Sequence, residues 1–76
     1  MIRDDEHAEF QLERRGIDKA WVEEALREPG ATEIRGNRRS FFRCTAGRKI
    51  MLRVVTPLHE PDYVITAYFD RTRRCA

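Results

Sequence analysis

The sequence predicts an α+β domain in which two N-terminal helices pack on a four-stranded antiparallel sheet. Three observations predict it. Apolar residues recur at helical spacing before Pro29-Gly30, they alternate at period two after it, and turn-forming residues divide the second part into strands. The 76 residues make a single domain, 1–76, without repeat, linker or low-complexity tract. A chain this short hides only about 60% of its unfolded surface, so its core is small.

The first helix is expected from about 5 to 15, within the stretch HAEFQLERRGI at 7–17. Asp4 or Asp5 caps it, and Glu6 and Glu9 suit the positive end of its dipole. Ala8 and Leu12 give it an apolar side, Arg14 and Arg15 suit its last turn, and Gly16 ends it. Steps of four from His7 reach Gln11 and Arg15, so an imidazole, an amide and a guanidinium rise in one stripe. That stripe either faces solvent or faces a groove. Ile17 packs inward, and Asp18 caps a second helix from about 19 to 28. Trp21, Val22, Ala25 and Leu26 form its inner face, and Pro29-Gly30 stops it.

The sheet is expected over about 31–70. Ala31 to Arg35 is the first strand, and Gly36-Asn37 is a tight turn. Arg39 to Thr45 is the second, Lys49 to Thr56 the third and most central, and Tyr63 to Asp70 the last. The loop 57–62 holds two prolines, and the basic tail 71–76 is expected to fray. Period two puts Tyr63, Ile65, Ala67 and Phe69 on one face of the last strand and Val64, Thr66 and Tyr68 on the other. If Ile50, Leu52 and Val54 meet the helices, Arg53, Thr66 and Tyr68 project together from the opposite face.

Charge divides the chain. Residues 1–34 carry five basic and ten acidic side chains, residues 35–76 ten and three, for a net +2. The basic second part either favours polyanions such as RNA or decorates the sheet for solubility. Charged residues are 37% and apolar residues 41%, too apolar and too periodic for a disordered chain. No apolar run spans a bilayer, and the spacing of Cys44 and Cys75 matches no zinc pattern. The expectation is a cytoplasmic protein with both cysteines free, without metal or cofactor.

The run His-x3-Gln-x3-Arg-Gly-Ile at 7–17 resembles the N-terminal signature of the family called domain of unknown function 4258. Val22, Ala25, Leu26 and Pro29 fit that family's second helix, Leu52-Arg53-Val54-Val55 its third strand, and Val64-Ile65-Thr66-Ala67-Tyr68 its last. The likeness covers about residues 5–70. The family looks like an outlying branch of the compact toxin nucleases that include barnase, colicin-type RNases and the RelE and ParE toxins. That kinship implies a strongly bent sheet, RNA on its open face, cleavage without a metal in some members, and a protein antitoxin. Gln11 departs from the pattern, since many relatives carry arginine there, and that removes one cation from the stripe.

RNA cleavage by the ribose 2′-hydroxyl needs proton transfer and stabilisation of charge on the phosphate oxygens. The resemblance and the face argument together make His7, Tyr68 and Arg53 the catalytic candidates. Arg15, Thr66, Arg39 and Gln11 are the substrate-binding ones. Arg38, Arg39 and Arg43, interleaved with Phe41 and Phe42, either stack bases or simply line a wet face above a core residue. Trp21 is expected in the core and His59 on the surface. The leading expectation is a toxin-type endoribonuclease. The alternatives are a noncatalytic module binding nucleic acid or protein through the same face, and a fold that inhibits a protein target; a homodimer fits any of these.

Overall fold

The computed structural model describes the backbone of Arg3–Asp4 and residues 14–75. In chain order the elements are β1 (Arg3–Asp4), α1 (Lys19–Arg27), β2 (Ala31–Arg35), β3 (Arg38–Arg43), β4 (Ile50–Pro57), β5 (Tyr63–Val64) and β6 (Thr66–Arg74). Strands β2-β3-β4-β6 form one antiparallel sheet in that order, and β1 pairs in parallel with β5.

Two N-terminal helices were expected, and that expectation is corrected. The described residues hold one helix, α1, and are mostly β. Much of the added strand comes from the C-terminal end, where Arg71–Arg74 continues β6 instead of fraying. His7 and Gln11, on the stripe of the expected first helix, lie outside the described residues. Arg14 and Arg15 have helical backbone up to Gly16, whose φ of 67° reverses the chain into Ile17.

Helix α1 forms as its sequence dictates. The Asp18 carboxylate accepts from the Ala20 N–H at 2.9 Å, Arg27 occupies the last turn, and Val22 and Ala25 are fully buried. At the first hairpin Gly36 takes a φ of 60° while Asn37 stays negative, the signs that a Gly-first two-residue loop requires. The core joins Ile17, Val22 and Ala25 to Phe41, Leu52, Val54, Val64 and Ala67. Trp21, Leu26 and Phe69 close its margin, with Trp21 and Phe69 edge to face at 6.3 Å. Fully buried Val22, Leu52, Val54 and Val64 each stabilise the fold by about 1.5–3 kcal/mol.

Two irregularities shape the last strand. The ladder breaks at Ile65, whose N–H donates to the Val55 carbonyl at 2.8 Å. The break changes phase, so Val64 and Ala67 both reach the core, where unbroken alternation would separate them. The single face expected for Tyr63, Ile65, Ala67 and Phe69 is therefore corrected. Further on, Met51 pairs with Asp70 but Ile50 with Arg74, so residues 71–73 bulge from β6.

The cysteines are not free. Cys44 and Cys75 form a disulfide across a Cα–Cα distance of 5.9 Å. It ties the β3–β4 connection to the end of β6, beside a hydrogen bond of 2.8 Å from the Cys75 N–H to the Lys49 carbonyl. The expected reduced pair was the ground for a reducing compartment, and that ground is gone. Among the described residues no helix is long and apolar enough to cross a membrane.

Candidate anion-binding face

Arg53 stands at the middle of β4 on the face that α1 does not cover. The register puts Phe42 of β3 and Tyr68 of β6 beside it. The next row along the strands is Ser40, Val55 and Thr66, and beyond it lie Arg35 and Arg38 of the hairpin end. These side chains line a recess of about 290 Å³: Arg35, Arg38, Ser40, Val55 and Thr66, with Arg53 and Tyr68 at its far wall. Three guanidinium groups and no carboxylate make up its ionic lining. Such a recess attracts anions.

Arg53 is held rather than free. Its Nε donates to Ser40 Oγ at 3.0 Å and its Nη1 to Asp70 Oδ2 at 3.1 Å. The guanidinium carbon lies 5.2 Å from the Phe42 ring centroid and 5.9 Å from that of Tyr68. Nη2 has no acceptor among the described residues, so a planar donor edge remains for a ligand. Asp70 is 8% exposed at its side chain and fully engaged, because its Oδ1 also accepts from the Thr72 hydroxyl at 2.6 Å and the Thr72 N–H at 2.9 Å.

The Thr72 hydroxyl and N–H, then Arg53, hold the Asp70 carboxyl below its usual range and outweigh the opposing effect of burial. Its folded pKa therefore lies beneath the unfolded value of about 3.9. The stabilisation is complete at neutral pH and is lost as pH falls through that value towards the folded one. Acid unfolding followed by circular dichroism should show wild type losing stability from about pH 5 downward more steeply than Asp70→Asn. Parallel acid profiles for the two chains would contradict this assignment.

Arg15 does not line the recess but bonds to β6 beside two residues that do, Thr66 and Tyr68. Its Nη1 donates to the Ala67 carbonyl at 2.8 Å and to Thr66 Oγ1 at 3.3 Å, and its guanidinium lies 5.8 Å from the Tyr68 ring centroid. The structure thus brings together four residues singled out from the sequence: Arg15, Arg53, Thr66 and Tyr68. Tyr68 lies between two cations.

Arg39 is not among them. Alternation along β3 places it on the face of Phe41, opposite Ser40, with Ile34 and Thr56 as its cross-strand partners. Its neighbour Arg38 lines the recess instead, exposed and without a hydrogen-bond or ion-pair partner among the described residues. Arg35, 83% exposed, touches Glu33 at 3.5 Å, a surface pair of little energetic weight. Arg35 and Ser40 were missed as site residues, and Arg38 was weighed only within the run of Arg38, Arg39 and Arg43; counting by twos back from Phe42 finds Ser40 and Arg38.

The remaining candidates are engaged elsewhere. Arg43 donates to the Glu28 carbonyl at 2.6 Å and lies 3.8 Å from Glu24, clasping the end of α1. Phe41 is core, and Phe42 is covered by Arg73, 4.0 Å above its ring and bonded to Glu33. His59 is exposed in the turn after β4, outside the recess. Among the described residues no group of three or more His, Cys, Asp or Glu is placed to hold a metal.

A family model described as "Domain of unknown function (DUF4258)" matches residues 5–69. No curated protein and no solved structure matches the chain, so no homologue supports the kinship with toxin nucleases.

Proposed function

Since the chain belongs to the DUF4258 family, whose description assigns no activity, we propose from the geometry that it binds RNA on its open sheet face and cleaves it there. One observation carries this reading. Three arginines, a phenol and two hydroxyls converge on a recess without a carboxylate in its lining. Arg38, without an ion-pair partner among the described residues, supplies charge and the Nη2 edge of Arg53 a fixed fork, which together suit a phosphate. Tyr68, between Arg15 and Arg53, offers an O–H at the same place.

In the proposed cleavage the ribose 2′-oxygen gives up its proton and bonds to phosphorus. The 5′-oxygen leaves and takes up a proton, giving a 2′,3′-cyclic phosphate and a 5′-hydroxyl. Tyr68 donates that second proton, and His7 is the sequence's candidate for removing the first. Incubation with a mixed-sequence RNA, followed by end analysis, should yield cyclic phosphate ends with wild type. Tyr68→Phe should abolish the cleavage while leaving affinity within about twofold, because the ring and its cation contacts persist. Cleavage at the wild-type rate by Tyr68→Phe would overturn the role of the phenol.

A noncatalytic RNA-binding module is the second reading. The Arg53–Asp70 pair favours it, since that guanidinium already has its countercharge. Salt-dependent binding with intact RNA would select it.

A further inference from the structure

Strand β2 is an edge of the sheet, with β3 on one side and no strand on the other among the described residues. Natural edges are blunted by charge, proline or cover. This one has Glu33 and Arg35 on one face, and between them on the other it carries Ile34, the exposed large hydrophobic side chain of the described residues, at 59% exposure. The two-residue loop makes Arg35 and Arg38 the closing pair of the hairpin, which is hydrogen-bonded in such loops. Alternation then directs the N–H and C=O of Thr32 and Ile34 away from β3, off the edge.

We infer that this edge pairs with the same edge of a second copy of the chain, antiparallel and centred on Ile34. Two-fold symmetry makes the consequences of that register explicit. Ile34 faces Ile34 of the second copy as a hydrogen-bonded pair, so the outward N–H and C=O of both are satisfied. Glu33 faces Arg35 of the second copy, and Arg35 faces its Glu33, in the pairs whose side chains approach most closely. Thr32 faces Gly36. Charge selects this register over its neighbours: moving the centre to Glu33 sets two carboxylates opposite each other, and moving it to Thr32 leaves both arginines unpaired. The dimer is a continuous eight-stranded sheet, and Arg35 brings the two basic recesses side by side at the dyad.

Paired five-residue strands form an interface below the standard size, so association belongs in the micromolar range or weaker. Sedimentation equilibrium from about 10 μM to about 1 mM should show a monomer–dimer equilibrium for wild type. Ile34→Lys should weaken it at least tenfold with unchanged circular dichroism. Arg35→Glu should do the same, since it sets a carboxylate opposite Glu33 of the second copy while disturbing only a surface contact within its own chain. Cross-linking fixes the register independently. Ile34→Cys should give a covalent dimer on mild oxidation, since facing Cα atoms about 5.5 Å apart fit a disulfide. Thr32→Cys should not, because its symmetry mate lies four residues further along. A wild-type chain still monomeric at the highest concentration, a dimer indifferent to Ile34→Lys, or cross-linking through residue 32 in place of 34 would each overturn the inference.

Discussion

Reducing the Cys44–Cys75 bridge, or replacing both cysteines by serine, is expected to lower the unfolding free energy by about 3–4 kcal/mol. The bond spans a sequence separation of 31, and opening it returns that loop's closure entropy to the unfolded chain. A domain's whole stability is roughly 5–15 kcal/mol, so this is a large share for so small a core. The effect should not be confined to global stability. The bridge anchors the end of β6, and Arg73, one residue inside that end, covers Phe42 and bonds to Glu33. Urea titration with and without a dithiol reductant measures the first effect; a difference under about 1 kcal/mol would remove the bridge from the account of stability.

Arg53→Met should cost about 2 kcal/mol in stability and about tenfold in RNA affinity. Both follow from one guanidinium. Its loss deprives Asp70, buried but for 8% of its side chain, of a charged partner and Ser40 of a donor, while Thr72 still holds the carboxylate. Arg38→Met is the control that separates structure from binding. Exposed and without a partner among the described residues, Arg38 should change stability by no more than about 0.5 kcal/mol. Its removal should nonetheless weaken RNA binding and lower the salt slope by about 0.7, the share of a single phosphate neutralised on a single strand. Fluorescence anisotropy at several salt concentrations reads the binding, and thermal unfolding the stability. Should Arg38→Met bind RNA as wild type does at every salt concentration, the recess is not where the phosphate sits.

Much of the sheet was legible because its signals are local. Gly36-Asn37 set one hairpin, and the β-branched run in β4 set the centre. The proline-rich segment after it marked the chain's return. Asp18 and Pro29-Gly30 likewise bracketed α1. What was missed depended on phase or on distant partners. Phe41 and Phe42 are adjacent and both buried, one under α1 and one under arginine, so hydrophobicity could not say which face Arg39 shares. Ile65 is a good strand former, and nothing in its own chemistry announces the break there. Arg71–Arg74 reads as a solvated tail until the bulge and the distant Cys44 give it a place. The candidate site was half legible: the row through Arg53, Thr66 and Tyr68 followed from alternation, whereas Arg35 joined it only through the hairpin register.

The short parallel ladder between Arg3–Asp4 and Tyr63–Val64 also bears on how the chain is made. Its partners lie 60 positions apart, so on a ribosome the Arg3–Asp4 strand waits, unmatched, until Tyr63–Val64 has emerged. Within the β2–β3–β4 meander the pairings join neighbours in sequence and are available earlier. The Arg3–Asp4 strand is then docked long after it is synthesised, in step with the closing of β6 onto β4 rather than with the early hairpins.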